Sequence, residues 1–159
     1  ELKKNELLFK EGQISDQIGY VYKGMVRQFY YKNNRELTEH FACNGSMFIC
    51  IESFLRQKPT PLKVEAIEPS VVYGIPYHPL EELSKEHYEI GLLYRKMLEA
   101  SLILSQRKAD SIRFESARER YERLLKNNPE IIRRAPLSQI ASLLEMTPET
   151  LSRVRAGTL

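Results

Sequence analysis

The sequence is poor in the residues that build covalent or metal-centred structure. Cys43 and Cys50 are its only cysteines, too few for a disulfide framework or for a four-cysteine zinc or iron–sulfur site. Both flank apolar residues and are expected as buried free thiols, which suits a reducing, cytoplasmic setting. His40, His78 and His87 are dispersed and give no metal-ligand spacing. No run of about 18 apolar residues exists, so no transmembrane helix and no membrane partner are expected. No signal peptide is visible; the chain opens on Glu1, so further residues before it and a trimmed leader both stay open. A Gly-rich phosphate loop, a Ser-His-Asp set and a Cys-His pair are all missing. A metal-dependent cupin would show closely spaced His and Glu on its strands, and Glu39-His40 is all there is. Neither enzymatic activity nor a cofactor is expected.

What remains is a chain of one or two small domains, with 42% apolar residues, enough for a core. Its net charge of +3 is unevenly placed: residues 113–159 hold 9 Lys+Arg against 6 Asp+Glu, while residues 1–112 are balanced. A basic C-terminal part is expected of something that meets phosphates.

Residues 6–76 read as all-β. Short apolar runs at Glu6–Phe9, Ile18–Tyr22, Met25–Tyr31, Leu37–Cys43, Met47–Ile51, Leu62–Ile67 and Val71–Ile75 are separated by turn residues, the pattern of a sandwich or roll. Asn33-Asn34 suits a tight hairpin turn. Ser53–Pro61 breaks the pattern and predicts a helical turn followed by a loop. From His78 the period becomes helical: a short helix from Pro79 to about Glu86, then a long one from Tyr88 to about Ile112. Ile90, Tyr94, Met97, Ser101 and Leu104 form one stripe on it, and Leu98, Leu102, Ala109 and Ile112 another. A helix apolar on two faces needs two covers, the roll and, most simply, a second copy of itself. Ser116 then predicts the N-cap of a charged helix, Ala117–Lys126, with Tyr121, Leu124 and Leu125 inward, ended by Asn127-Asn128-Pro129.

The segment 136–155 predicts helix, turn, helix. Ile140, Ala141 and Leu144 share a face, with Leu137 one turn earlier; Met146 lies in the turn, and Glu145 stands where a left-handed residue is required, at a cost of roughly 1 kcal/mol. Thr147 is a good N-cap and Pro148 suits the first helical position. Leu151 and Val154 bury the second helix, leaving Glu149, Thr150, Ser152 and Arg153 outward. Arg grips guanine bidentately, Glu accepts from cytosine, and Ser or Thr meets a phosphate or a base. Arg155 is expected on phosphates.

This order of parts resembles the Crp–Fnr superfamily of bacterial transcription regulators. Phe9-Lys10-Glu11-Gly12, Tyr20-Val21-Tyr22-Lys23-Gly24 and Asn44-Gly45-Ser46-Met47-Phe48-Ile49 match the family's roll turns, and Glu149-Thr150-Leu151-Ser152-Arg153 its recognition-helix core. The resemblance implies an α+β fold: a cyclic-nucleotide-binding-like β-roll (1–87), a dimerisation helix (88–112) and a helix-turn-helix DNA-binding domain (113–159). It implies Glu149 and Arg153 as base readers and Thr150 as a phosphate contact. It also implies double-stranded DNA and a second copy of the chain as partners, with RNA polymerase and an unknown small-molecule effector as further candidates. Pro148 stands where the cyclic-AMP receptor has an Arg, so the operator should differ. No β-wing follows the recognition helix, so the backbone grip is smaller or the native chain extends beyond Leu159.

The phosphate cassette departs more. The family's Gly-Glu after the Phe-Ile strand is here Cys50-Ile51-Glu52, and its later Arg-Ser falls near Thr60-Pro61. A buried phosphate without a charged partner is costly, so cyclic AMP is not the expected effector. The roll's inner space is expected to be lined by Phe54, Leu55, Thr60, Pro61 and Lys63 from the inserted segment, and by Met97, Ser101 and Ser105 from the long helix. The rival reading is a small-molecule-binding or protein-interaction signalling module with a weakened DNA-binding domain.

Overall fold

Period-two alternation and turn residues build the N-terminal half, which the computed structural model, covering residues 1–158, shows as two antiparallel sheets. Its elements are β1 (Leu7–Phe9), β2 (Gln17–Lys23), β3 (Met25–Lys32), β4 (Arg35–Cys43), β5 (Met47–Phe48), α1 (Ile51–Arg56), β6 (Lys63–Ala66) and β7 (Val71–Pro76). One sheet has the order β1-β6-β3-β4, the other β5-β2-β7. Asn33 and Asn34, at φ 51° and 58°, make the left-handed turn that joins β3 to β4. Gly24, between β2 and β3, has φ +102°, and a Cβ there would meet Ser70 Oγ at 2.2 Å.

Between the sheets lie Phe9, Val21, Val26, Ala42, Phe48, Cys50 and Val64. Gln28 shares this interior and donates to Cys50 Sγ at 3.3 Å. The opposite face of β3 carries Met25, Arg27 and Phe29. Arg27 is 1% exposed, and such a charge survives burial only with partners. It pairs with Glu36 and Glu65, each at 2.6 Å, and its guanidinium lies 4.1 Å above the Phe29 ring. Strand β5 is shorter than expected, because the chain already turns into α1 at Ile51.

The helices follow as α2 (Tyr77–Glu86), α3 (Tyr88–Phe114), α4 (Ala117–Asn127), α5 (Pro129–Arg134), α6 (Leu137–Leu143) and α7 (Pro148–Arg155). At 27 residues α3 is about 40 Å long. A capping box between Ser116 and Glu119 starts α4. Leu124 is buried there and Tyr121 packs beside it, but Leu125 is exposed. Helix α5 is an addition to the expected elements: Asn128-Pro129, the stop signal of α4, also supplies the N-cap and first residue of a new helix.

The C-terminal helices do not stand apart from the roll. Met25, Phe41 and Ile67 on the roll's outer face form one core with Leu124, Ile131, Ile140, Ala141, Leu144 and Leu151. Strand β4 is an edge strand, and α6 covers that edge through Ser142. The Thr38 amide donates to Ser142 Oγ at 2.8 Å, and Ser142 Oγ donates to the Glu36 carbonyl at 3.1 Å. Arg134 of α5 pairs with Glu68.

Helix α3 is clamped to the same strand. Lys108 Nζ donates to the Glu39 carbonyl at 2.8 Å and pairs with the Glu39 carboxylate at 2.9 Å. Next to this clamp, burial and then the Lys108 charge lower the His40 pKa to about 4, against a smaller opposing pull from Glu39. The folded chain therefore refuses a proton that the unfolded chain accepts below about pH 6.5. Stability from this site is full above that pH and falls as the pH drops towards 4, by about 1–3 kcal/mol in all, His40 being half-buried. Urea unfolding of His40→Gln between pH 7 and pH 4 should show that much less pH dependence than the wild type; equal slopes would reject the assignment.

Candidate nucleic-acid interface

Local capping chemistry sets up α7. The Thr150 amide donates to Thr147 Oγ1 at 3.2 Å, and Pro148 takes the first turn, where its missing N–H is not needed. Glu145 supplies the expected left-handed residue, at φ 51°. Leu151 and Val154 are buried. Glu149, Ser152, Arg153 and Arg155 are exposed, whereas Thr150 is half-buried with its hydroxyl 3.2 Å from that of Thr147. The backbone amide of Glu149 itself, then the Thr147 hydroxyl and the Arg153 charge, hold the Glu149 carboxyl below the usual carboxylate range. The helix thus presents an ionised acceptor and a cation one turn apart.

Three C-terminal arginines are already paired. Arg118 pairs with Glu122, Arg123 with Glu115, and Arg134 with Glu130 and Glu68. Among the described residues, Arg153 and Arg155 have no ion-pair partner within 4.0 Å. Sequence reasoning missed Arg120, whose Nε donates to the Leu144 carbonyl at 2.8 Å. A contact between residues 24 positions apart leaves no periodic trace.

Of the residues expected to line the roll, Phe54 and Met97 come together and the others lie apart from them. Phe54 is fully buried against Ile18 and Leu80, with Met97 packed beside it. Thr60 is buried, while Leu55, Pro61 and Ser105 are exposed and Ser101 is half-buried. Lys63 lies on the outer face, 3.6 Å from Glu11 and 4.6 Å above the Tyr31 ring. Arg56 is exposed beside Glu52, and Lys58 is exposed. Two shallow depressions lie elsewhere: about 150 Å³ between α2 and α3 beside Ser84, Tyr88 and Arg95, and about 500 Å³ by Glu1–Lys4 and Pro69. Among the described residues no cluster could hold a metal ion, and no helix is long and apolar enough to cross a membrane. Cys50 is buried and Cys43 half-buried.

The stripe expected to face a second copy is divided. Ile90, Tyr94 and Met97 pack on the chain's own roll, and Ser101 is half-buried; only Leu104 of that set is exposed, at 51%. Leu93, Leu102, Ile103 and Ile112 are exposed as well.

The comparisons agree with this architecture. FixK2 from Bradyrhizobium japonicum superimposes with a TM-score of 0.79 at 21% identity, over 98% of this chain and 81% of that one. A CooA variant from Carboxydothermus hydrogenoformans gives 0.74 at 18%, over 98% and 72%. CLP of Xanthomonas campestris, described as a c-di-GMP-responsive global regulator, gives 0.71 at 19%, over 98% and 83%. No curated protein sequence matches significantly. Residues 1–87, more than half of the chain, match the cyclic nucleotide-binding domain family. The chain therefore belongs to the cyclic nucleotide-binding domain family and carries the fold of the Crp–Fnr regulators.

Proposed function

We propose that this chain is a transcription regulator of the Crp–Fnr type, a cytoplasmic homodimer that reads a two-half-site operator with α7 and does not answer to cyclic AMP. The observation that carries the reading is α7 itself: a capped helix, anchored by Leu151 and Val154, that turns Glu149, Ser152, Arg153 and Arg155 to solvent. Arg153, with Glu149 one turn before it, suits base edges in a major groove. Arg155 suits the phosphates beside them. Selection from random-sequence DNA tests the reading and yields the operator; no enrichment would favour a signalling module that binds no DNA. On the selected site Arg153→Ala should lose roughly 1–3 kcal/mol and relax specificity at one base pair. Arg155→Ala should weaken all sequences alike and flatten the salt dependence. Gel shifts at several salt concentrations separate the two roles, and identical behaviour of the variants rejects them.

Dimerisation is supported by the exposed Leu93, Leu102, Ile103 and Leu104 of α3, large apolar side chains on several sides of one helix that need a cover. Met97, which packs on the roll, is a poor probe of it. Leu102→Glu and Leu104→Glu should instead yield folded monomers in sedimentation, and a monomeric wild type at micromolar concentration would sink the idea.

The effector reading rests on charge. Lys63 faces away from the roll's interior, Arg56 and Lys58 lie in solvent, and the interior holds Cys50, Gln28 and Thr60 rather than a cation. A cyclic phosphate there would lack the partner that burial demands. Calorimetry should detect no binding of cyclic AMP or cyclic GMP below about millimolar, a free energy near −4 kcal/mol, and no change in DNA affinity. Micromolar binding with enhanced DNA affinity would overturn this.

A further inference from the structure

The residue at issue is Arg120, one turn into α4. Its Nε donates to the Leu144 carbonyl at 2.8 Å, and its Nη1 donates to the Glu115 carbonyl at 2.7 Å. These two carbonyls have the same local character. Glu115 is the C-cap of α3, and Leu144 is the C-cap of α6. Carbonyls at a helix C-terminus lack partners within the helix and sit at its negative end. One guanidinium therefore joins the negative ends of two helices. Its planar fork reaches both at once, which a lysine ammonium on a flexible stem does not reproduce.

The surroundings make this a junction. Glu115 turns its carboxylate to Arg123 Nε, at 2.9 and 3.0 Å, and accepts from Ser111 Oγ at 2.7 Å. Arg123 also reaches Ser111 Oγ. Ser116 and Glu119 close the start of α4. Leu144 directly precedes Glu145, the left-handed residue that sets the angle between α6 and α7. The end of the long helix, the start of α4 and the turn before α7 are thus joined through one half-buried side chain.

We propose that Arg120 is a positioning residue for operator binding: it fixes the direction of α7 relative to α3, and so the match between two recognition helices and two half-sites. It rests on the reading of α7 as the DNA-reading helix and α3 as the dimer helix. Arg120 touches no DNA in this scheme, so its loss should leave each half-site contact intact. It should spoil only the geometry that lets both engage together, and avidity disappears when geometry forbids simultaneous engagement.

The test compares DNA carrying one selected half-site with DNA carrying two. Arg120→Gln should bind the single half-site as the wild type does. It should lose about tenfold or more of the extra affinity for the double site, with the thermal midpoint nearly unchanged. Arg120→Lys, which keeps the charge and stem and is the safer variant to fold, should behave in the same way. Equal losses on both DNAs, no loss on either, or wild-type behaviour of Arg120→Lys would overturn the proposal. A second readout needs neither DNA nor the dimer. Spin labels at Ser105→Cys and Ser152→Cys, in a Cys43→Ser chain diluted with unlabelled chains, report the distance between α3 and α7 within one protomer. The wild type should give one narrow distance and the Arg120 variants a broadened one. An unchanged distribution overturns the proposal whether or not DNA binds. A broadened one in a protein that binds no DNA would sink the DNA reading while upholding the tie.

Discussion

Three apolar side chains on the outside of a β-sheet hold the rest of this molecule in order. Met25, Phe41 and Ile67 face away from the roll's interior, and α4 to α7 fold down on them. Helices α5, α6 and α7 have 6, 7 and 8 residues. Helices that short are unstable alone and exist because their apolar faces are covered. Each large side chain buried there contributes about 1.5–3 kcal/mol. The roll is therefore the wall against which α4 to α7 are built. Polar contacts set register on that wall: Arg134 to Glu68, and Ser142 to the edge of β4. The chain breaks between α3 and α4 at Glu115-Ser116, and the helices beyond the break share their core with the roll.

The roll's other attachment is aromatic. Phe54, from the inserted helix α1, meets Tyr77 and Tyr94 edge to face at centroid distances of 5.1 and 6.4 Å. Such pairs contribute about 0.5–1.5 kcal/mol beyond their burial. They join the segment that follows β5 to the first turns of α3. Side chains of this chain thus connect the roll directly to the long helix.

Legibility followed the range of the interaction. Caps and turns could be read because they are decided within four residues: Ser116 with Glu119, Thr147 with Thr150, Asn33-Asn34, and Glu145 in its left-handed turn. Periodicity placed the strands and the long helix. It failed on α5, where Asn128-Pro129 ends one helix and begins the next, a pair of signals that coincide in sequence. It also failed on α3. Ile90, Tyr94 and Met97 had to face something apolar, but spacing cannot say whether that is the chain's own roll or another copy, and the own roll lies nearer. The pocket residues were least legible. Lys63 sits one register position from Val64, so it falls on the opposite face of β6, outside the interior. Arg120 was invisible for a different reason: its partners are backbone carbonyls, which carry no side-chain signature.

Strand β4 closes one side of the four-stranded sheet, and such an edge offers unpaired amides and carbonyls to any extended chain that meets it. Ser142 answers the Thr38 amide and the Glu36 carbonyl together, so a single hydroxyl occupies the two groups with which an intruding strand would begin to pair. Helix α6 is thereby a guard against aggregation as well as a packing element. A nascent chain whose roll has formed before residue 142 is in place exposes that edge, with Phe41 and Met25 bare beside it. The interval between the two events is when the molecule is most prone to join strand to strand with its neighbours. A lesion that loosens α6 would then first appear as insolubility, before any change in what the protein binds.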